Sequence, residues 1–251
     1  MAEIGTVVKF AVSNIAWSRD RRDAAAALLS GLGVGGVEVA PTKIWRDPTT
    51  VTGADVASER AFWAGYGIEV VAMQSLLYGR DELTVFGEPE VRRRTLDYLR
   101  GMIRLAADLG ATVLVFGSPK QRRAEHLEPA ERTEIARAFF SELGNVAFDH
   151  GVSFCIEPNP PEYGTDFVNT VSEACDLIRS VGSEGFGLHL DTGGASLVGE
   201  DPHGAIGTGR DVLRHVHVSE PFLAPVGGAG ARPPGPVMHP SRRLAAPTSS
   251  G

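Results

Sequence analysis

Short runs of β-branched and apolar residues alternate along this chain with longer segments in which apolar residues recur every three or four positions. Seven such runs lie at 7–13, 36–40, 68–75, 111–118, 152–158, 186–192 and 213–219. The helical patterns between them cover 23–32, 53–66, 90–109, 129–149 and 170–181, and a weaker one covers 201–213. This alternation is typical of repeated βα units around a parallel sheet.

Two architectures accommodate seven βα steps: a doubly wound open sheet and a (β/α)8 barrel that lacks one unit. The first run is followed by "SNIAWSRD" rather than by a G-x-G-x-x-G turn, so a dinucleotide site is not indicated. Polar residues stand at the C-terminal ends of nearly all runs, where barrel enzymes build their active sites. They are Asn14, Glu38, Gln74, Lys120, Glu157, Asp191 and His217. We therefore predict an α/β fold of the (β/α)8 TIM-barrel type, incomplete, with seven βα strands and the eighth unit missing.

The pattern ends abruptly near residue 226. Of the last 25 residues, 20 are Gly, Ala, Pro, Arg or Ser, none is acidic, and five are prolines, which exclude a helix or a central strand. We predict a barrel domain at 1–226 and a disordered tail at 227–251. The composition of the tail also looks like translation in a shifted reading frame, a hypothesis that the nucleotide sequence would test.

Charge and cysteine usage narrow the class of protein. The formal net charge is -7 and no basic stripe follows a predicted helix, so a nucleic-acid partner is disfavoured. Cys155 and Cys175 have the spacing of neither a disulfide framework nor a zinc site. No signal-peptide pattern opens the chain and no apolar run approaches the roughly 20 residues of a membrane helix. We expect a cytoplasmic protein without a membrane partner.

Three strand ends are predicted to meet. Because side chains alternate along a strand, His189 shares a face with Asp191, and His215 shares one with His217. The second residue of each pair lies nearer the C-terminal mouth, and Glu157 ends the preceding run. Two carboxylates and an imidazole would then lie close to a common point. This donor set suits Mn²⁺, Mg²⁺ or Co²⁺.

Each of these residues also has a plainer interpretation. A histidine in a strand is more often a hydrogen-bonded core residue than a metal ligand. For Glu157 and Asp191 the alternative is an ion pair at the rim, but no basic residue stands at the matching ends of the last three runs. Taken together, the residues favour a metal site.

The remaining polar strand ends are candidates for binding a substrate. The set is Asn14, Trp17, Glu38, Gln74, Lys120, Asn159 and His189, with Tyr78 as a further lining residue. Trp17 could equally be ordinary packing, and Glu38 could pair with Lys9 instead. Lys120 and Arg122 could meet a phosphate or carboxylate, although basic loop residues are usually only solvated.

Three motifs, "CIEPNPPEYG", "GLHLDTGG" and "HVHVSEP", resemble in order and spacing the xylose isomerase-like barrel superfamily of sugar and sugar-phosphate isomerases and epimerases. The likeness runs from about residue 9 to 226. It implies metal ligation by Glu157, Asp191 and His217. The fourth ligand of the ketose epimerases, a glutamate on strand eight, has no counterpart in the tail. In the ketose epimerases the two glutamates form the acid/base pair, so the resemblance implies that Glu157 is catalytic and that its partner is missing.

The resemblance implies a divalent-metal-dependent sugar or sugar-phosphate isomerase or epimerase that acts by proton transfer through an enediolate. Its partner would be a sugar or polyol. The epimerases place a histidine where this chain has "DTGGA" and an arginine where it has "SEPFLAP", so a different substrate is expected. Two alternatives stay open: an inosose-type dehydratase on the same scaffold, and an inactive, truncated barrel. A homodimer could cover the open edges that a missing strand would leave.

Overall fold

The computed structural model describes residues 9–227, in which strands and helices alternate as the sequence predicts. The strands are β1 (Ala11–Ser13), β2 (Gly36–Val39), β3 (Glu69–Met73), β4 (Val113–Phe116), β5 (Ser153–Ile156), β6 (Phe186–Asp191) and β7 (Leu213–His217). The helices are α1 (Arg22–Gly31), α2 (Pro41–Ile44), α3 (Gly53–Ala64), α4 (Pro89–Leu109), α5 (Pro129–Asp149), α6 (Val171–Val181), α7 (Thr192–Leu197) and α8 (Pro202–Gly209). Within this part of the chain, no helix has the length and apolarity needed to cross a membrane.

The seven strands form one parallel sheet in sequence order, β1 to β7. The sheet is strongly curled, because Glu38 on β2 and His217 on β7 meet across its interior, with Oε2 and Nε2 2.7 Å apart. Four strands separate β2 from β7 within the sheet, so a flat sheet could not bring these atoms together. The predicted fold class, an incomplete α/β TIM-type barrel, is confirmed. Within residues 9–227, the outer edges of β1 and β7 pair with no further strand.

Local signals at the helix ends explain why the helices follow the predicted segments. Thr52 and Asp55 form a reciprocal capping box at the start of α3, and Thr170 and Glu173 form another at the start of α6. Gly110 ends α4 in the left-handed conformation, with φ of 88°. These contacts lie within one helical turn, so they can be read directly from the sequence.

The core lies between the sheet and its outer helices. Its centre is a cluster of phenylalanine rings around Phe140 on α5, which stacks on Phe186 of β6 at a centroid separation of 5.0 Å. Phe116 of β4 and Phe167 also pack on Phe140. All residues of β4 are buried, which accounts for the continuous apolar runs of the sequence.

Several predicted bounds were wrong. Most strands are shorter than their apolar runs, because the last residues of every run except the first, and the first residues of several runs, lie outside the strands. The short helices α2 and α7 were not predicted; α7 contains two glycines, which favour a turn over a helix. The predicted strand residues 7 and 8, and the predicted disordered tail from residue 228 onward, lie outside the described residues.

Candidate metal centre

The ends of β5, β6 and β7 bring Glu157, Asp191 and His217 together. Asp191 and His217 are the last residues of neighbouring strands and are partners in the register. Asp191 Oδ2 lies 3.9 Å from His217 Nδ1, and one donor atom from each of the three residues lies within 4.8 Å of the others. Each side chain is about one fifth exposed, at 18%, 17% and 22%. The cluster therefore opens to solvent at one side.

The carboxylate of Asp191 is held in a fixed orientation. Its Oδ1 accepts hydrogen bonds from the Gly194 backbone N–H and from Ser219 Oγ, both at 2.7 Å. The first of these bonds also caps α7. Because Oδ1 is occupied twice, Oδ2 is the oxygen that remains free to face His217. Sequence reasoning missed Ser219, which lies two residues beyond His217 and therefore follows the same alternation.

The Glu157 carboxylate depends on a glycine in the neighbouring strand end. A Cβ placed on Gly117 would overlap Glu157 Oε2, so only glycine leaves room for the carboxylate in this position. Asn159 lies on the same side, and its Oδ1 is buried without a hydrogen-bond partner. The glycine is visible in the sequence motif "VFGS", but no local pattern links Gly117 to Glu157, which lies forty residues later.

Burial and the nearby negative charge of Asp191 raise the pKa of Glu157 to about 7. His217 and Arg122 oppose this shift with positive charge. Arg122 is fully buried, burial lowers its pKa to about 10, and none of its guanidinium nitrogens has a hydrogen-bond partner. Because the pKa of Glu157 is about 7, this carboxyl can both accept and release a proton near neutral pH in the metal-free protein.

Glu38 binds two histidines from the interior of the sheet. Its Oε2 accepts hydrogen bonds from His217 Nε2 at 2.7 Å and from His215 Nε2 at 3.2 Å. Burial would raise the pKa of Glu38, but these two hydrogen bonds outweigh it and lower that pKa to about 2. Burial would lower the pKa of His217, but the hydrogen bond and the negative charge of Glu38 outweigh burial and raise that pKa. The alternative pairing of Glu38 with Lys9 was wrong, because Lys9 pairs with Glu69 on the outer edge.

His189 lies behind the cluster, fully buried, and neither ring nitrogen has a hydrogen-bond partner. Burial lowers its pKa well below the ordinary value, with a further contribution from the charges of His217 and His215. Its ring centroid is 4.1 Å from that of His217 and 5.3 Å from that of His215. His189 is therefore a neutral imidazole with both nitrogen positions unsatisfied.

The donor set fits a divalent cation. Glu157 offers a carboxylate, Asp191 offers its free Oδ2, and His217 offers Nδ1, because Glu38 occupies its Nε2. A ligating histidine whose second nitrogen donates to a carboxylate is the usual arrangement around protein-bound metals. Two oxygens and one nitrogen suit Mn²⁺, Mg²⁺ or Co²⁺.

The other predicted substrate residues lie in different settings. Asn14 is buried, and its Oδ1 accepts from the Ala40 N–H at 2.8 Å. Gln74 Nε2 donates to Ser13 Oγ at 2.5 Å. Trp17 is half-buried against Trp63, with ring centroids 6.3 Å apart, so part of its surface serves packing.

Two further predicted residues lie at the ends of β4 and β5. Lys120 is exposed, on the short helical turn that follows β4. Asn159 is buried beside the Glu157 carboxylate, and its Nδ2 donates to the Pro158 carbonyl at 3.2 Å. Of these two, Asn159 is the one in the immediate surroundings of the cluster.

A separate cavity of about 680 Å³ opens between the segments that follow β2 and β3. Trp45, Asp47, Tyr78 and Arg80 are among the residues that line it. Tyr78 was the one residue of this cavity that sequence reasoning had singled out. Glu157, Asp191 and His217 do not line it, so the chemistry of the cluster is not located there.

The chain is similar in sequence to a known epimerase. A ketose 3-epimerase from Arthrobacter globiformis is 25% identical over 168 residues, which cover 66% of this chain and 57% of that protein. The chain thus spans less than two thirds of the length of this curated relative.

Solved structures with the same fold include a D-psicose 3-epimerase from Clostridium cellulolyticum H10 in complex with D-tagatose. It has a TM-score of 0.71 and 18% identity, over 85% of this chain and 73% of that one. A 3-keto-D-glucoside 4-epimerase from E. coli has a TM-score of 0.70 and 16% identity, over 85% and 80% of the two chains. At these identities the likeness concerns the fold.

The family model described as xylose isomerase-like TIM barrel matches residues 26–236. This match includes all strands from β2 to β7 and every residue of the Glu157, Asp191 and His217 cluster. The chain therefore belongs to the xylose isomerase-like TIM barrel family.

Proposed function

We propose that this protein is a divalent-metal-dependent isomerase or epimerase of sugars or sugar phosphates. The observation that carries the proposal is the cluster of Glu157, Asp191 and His217, in which one donor atom from each residue lies within 4.8 Å of the others. Proteins of similar sequence or fold include a ketose 3-epimerase and a 3-keto-D-glucoside 4-epimerase, which supports a keto-sugar or polyol as substrate.

In this proposal Glu157, Asp191 and His217 hold the ion. When bound, a divalent cation would polarise a substrate carbonyl and stabilise negative charge that develops on its oxygen. Glu38 keeps the His217 ring oriented through Nε2, and Ser219 keeps Asp191 oriented through Oδ1. The resident ion would be Mn²⁺, Mg²⁺ or Co²⁺.

Glu157 is the proposed catalytic residue. Its carboxylate removes the proton from the carbon beside the carbonyl, and the resulting carboxylic acid returns a proton to the enediolate. In the metal-free protein the pKa of Glu157 is about 7, so this carboxyl can exchange a proton near neutral pH before an ion binds. Isomerisation results when the proton returns to the neighbouring carbon. Epimerisation results when a proton is delivered to the opposite face of the same carbon, and this requires a second acid.

Seven residues are proposed to contact the substrate around this cluster. They are Asn14, Trp17, Glu38, Gln74, Lys120, Asn159 and His189. Among them Asn159 has the most direct support, because its buried, unpartnered Oδ1 lies beside the Glu157 carboxylate and could accept a hydrogen bond from a sugar hydroxyl.

A dehydratase that acts on a keto-polyol is the second candidate. Within the described residues, Asp191 and Glu38 are already engaged by hydrogen-bond donors, which leaves Glu157 as the carboxylate with a pKa near neutrality. In elimination of water, the Glu157 carboxylate would remove the proton beside the carbonyl, and the resulting carboxylic acid would give that proton to the hydroxyl that leaves the next carbon as water. No second acid on the opposite face of the same carbon is required. The Glu157 carboxylate therefore also fits a dehydratase reaction.

Exchange of substrate hydrogen with solvent tests the proposed function. The purified chain with Mn²⁺ is incubated in D₂O with ketopentoses, ketohexoses, their phosphates and keto-inositols. NMR then measures deuterium at the carbon beside the carbonyl, and chromatography separates epimer, isomer and dehydrated product. We expect exchange with at least one substrate, and a loss of about 100-fold or more in Glu157→Gln.

The matched control is Glu162→Gln, an exposed carboxylate on the same loop, which should exchange at the wild-type rate. Exchange no faster than with Mn²⁺ alone, or an active Glu157→Gln protein, would refute the proposed function.

We further propose a homodimer in the cytoplasm. The outer edges of β1 and β7 are unpaired within residues 9–227, and a second copy would cover such edges. Cys155 and Cys175 are both free and buried, as suits a reducing compartment. Light scattering on the purified chain tests the dimer, and a monomer at high protein concentration would refute it. Fractionation of cells that express the tagged chain tests the location, and recovery outside the cytoplasmic fraction would refute it.

A further inference from the structure

We propose that His189, His215 and His217 form a second metal site, made of three imidazoles and suited to a late first-row cation such as Zn²⁺, Ni²⁺ or Cu²⁺. This three-histidine site shares His217 with the mixed Glu157, Asp191 and His217 cluster. It lies one layer deeper in the curled sheet.

The strand register places the three rings together. His189 and His215 are partners across β6 and β7, and His217 follows two residues later on the same face. The ring centroids of His189 and His217 are 4.1 Å apart, and each is 5.3 Å from that of His215. One nitrogen from each ring lies within 4.8 Å of the other two.

His189 supplies an independent reason to expect a ligand. It is fully buried, and neither of its ring nitrogens makes a hydrogen bond, although Nε2 lies 4.0 Å from Glu157 Oε1. Buried polar groups in proteins are nearly always satisfied, and an unsatisfied one calls for a bound species. A cation bound by all three rings would satisfy one of these nitrogens.

Glu38 prepares the other two rings for ligation. Its Oε2 lies 3.2 Å from His215 Nε2 and 2.7 Å from His217 Nε2, so both rings keep Nδ1 available. One buried carboxylate thus orients two imidazoles, an arrangement that increases the donor strength of both. The buried charge of Glu38 would also offset part of the charge of a divalent ion.

The chemistry of the donors separates the two sites. Imidazole nitrogen favours Zn²⁺, Ni²⁺ and Cu²⁺, whereas the carboxylate oxygens of Glu157 and Asp191 favour Mn²⁺ and Mg²⁺. Because His217 has a single free nitrogen, the two sites compete for it. A late first-row cation in the three-histidine site is therefore expected to displace Mn²⁺ from the mixed cluster. The side chains of His215 and His217 are about one fifth exposed, which gives the ion a route from the mouth.

Metal binding without substrate tests this inference. Calorimetric titrations with Zn²⁺ and with Mn²⁺ are made on the full chain, on three site variants and on one control variant. We expect His189→Phe to weaken Zn²⁺ binding at least tenfold and to weaken Mn²⁺ binding less than Zn²⁺ binding. Asp191→Asn should weaken Mn²⁺ more than Zn²⁺, and His217→Phe should weaken both. His150→Gln, which removes an exposed histidine, is the control for surface binding.

Equal Zn²⁺ affinity in the wild type and His189→Phe would overturn the inference. Where circular dichroism shows that His189→Phe is unfolded, His215→Phe makes the same test at a partly exposed position. Electron paramagnetic resonance of Cu²⁺ bound to the wild type gives a second readout. Three coupled nitrogens support the site, and a single nitrogen overturns it.

The outcome is separable from that of the proposed function. Loss of Mn²⁺ binding in Asp191→Asn concerns the mixed cluster, whereas loss of Zn²⁺ binding in His189→Phe concerns the three-histidine site. Absence of sugar turnover would refute the proposed function and leave both binding results standing.

Discussion

Replacing Gly117 by alanine should separate metal binding from folding. Gly117 follows β4, and a Cβ at this position overlaps Glu157 Oε2 while it remains 3.4 Å from Glu157 Cδ and 3.5 Å from Asn159 Oδ1. Of the three atoms nearest to this Cβ, only Glu157 Oε2 lies closer than van der Waals contact allows. Gly117 has no positive φ, so the backbone itself accepts alanine. The collision therefore falls on the tip of a flexible side chain.

The size of the effect follows from this geometry. Glu157 Oε2 must move by about 1 Å to restore ordinary van der Waals separation. Rotation of the side chain can provide that shift, so the free energy of unfolding should change by less than about 1 kcal/mol. A displacement of about 1 Å in a catalytic group can lower the rate by roughly 100-fold. We expect Mn²⁺ affinity to fall by about 10- to 100-fold.

Calorimetric titration with Mn²⁺ and urea denaturation of the same sample measure the two quantities. Gly101→Ala in α4 is the matched control, since a Cβ there meets no atom within 4 Å. Alanine in a helix should stabilise the fold by roughly 0.5–1 kcal/mol and leave Mn²⁺ binding unchanged. Unaltered Mn²⁺ affinity in Gly117→Ala would show that the position of Glu157 does not matter for the ion.

Three further predictions concern stability. In the metal-free protein the pKa of Glu157 rises from 4.5 to about 7, so between these values the native state keeps a proton that the unfolded chain releases. Stability from this group should fall by up to about 3 kcal/mol as pH rises through that window. Glu157→Gln should flatten the decline in urea titrations, and parallel curves for both proteins would contradict this. Glu59, which is buried, accepts hydrogen bonds from Arg22 and from Trp63 Nε1, each at 2.7 Å, and its change to alanine leaves the buried Trp63 Nε1 without a partner and the partly exposed Arg22 without its ion pair. Glu59→Ala should cost roughly 1–3 kcal/mol in urea denaturation, and no measurable loss would contradict a stabilising role for these hydrogen bonds. Phe140→Ala should cost roughly 3–5 kcal/mol in the same assay, because it empties the centre of the phenylalanine cluster. A much smaller loss would contradict a central packing role for Phe140.

Helix bounds followed from the sequence because their signals are local. The predicted segment 129–149 coincides with α5, and α6 begins one residue after the predicted start, at its capping box. Strand bounds were less accurate, because an apolar run continues past the last ladder bond into the loop at the mouth. The helix α7 was missed because its first turn is held by the Asp191 side chain rather than by helix-forming residues.

The sequence placed Glu157, Asp191 and His217 at the ends of three successive strands, which is enough to predict that they meet. It could not reveal that Gly117 makes room for Glu157 or that Ser219 holds Asp191. These contacts depend on how neighbouring strand ends pack, and the period of a strand carries no information about the adjacent strand.

The sequence by itself determined the class of fold and the types of donor at the strand ends. Alternating βα periodicity and polar residues in otherwise apolar runs are local properties of the chain. Tertiary structure alone decided the roles of Glu38 and His189. Glu38 meets His217 across 179 positions because the sheet curls. His189 makes no hydrogen bond, because the two histidine rings around it direct theirs to Glu38 and Glu157 Oε1 is 4.0 Å away. Both facts arise from the closure of the sheet, which brings distant side chains into a shared interior that excludes water.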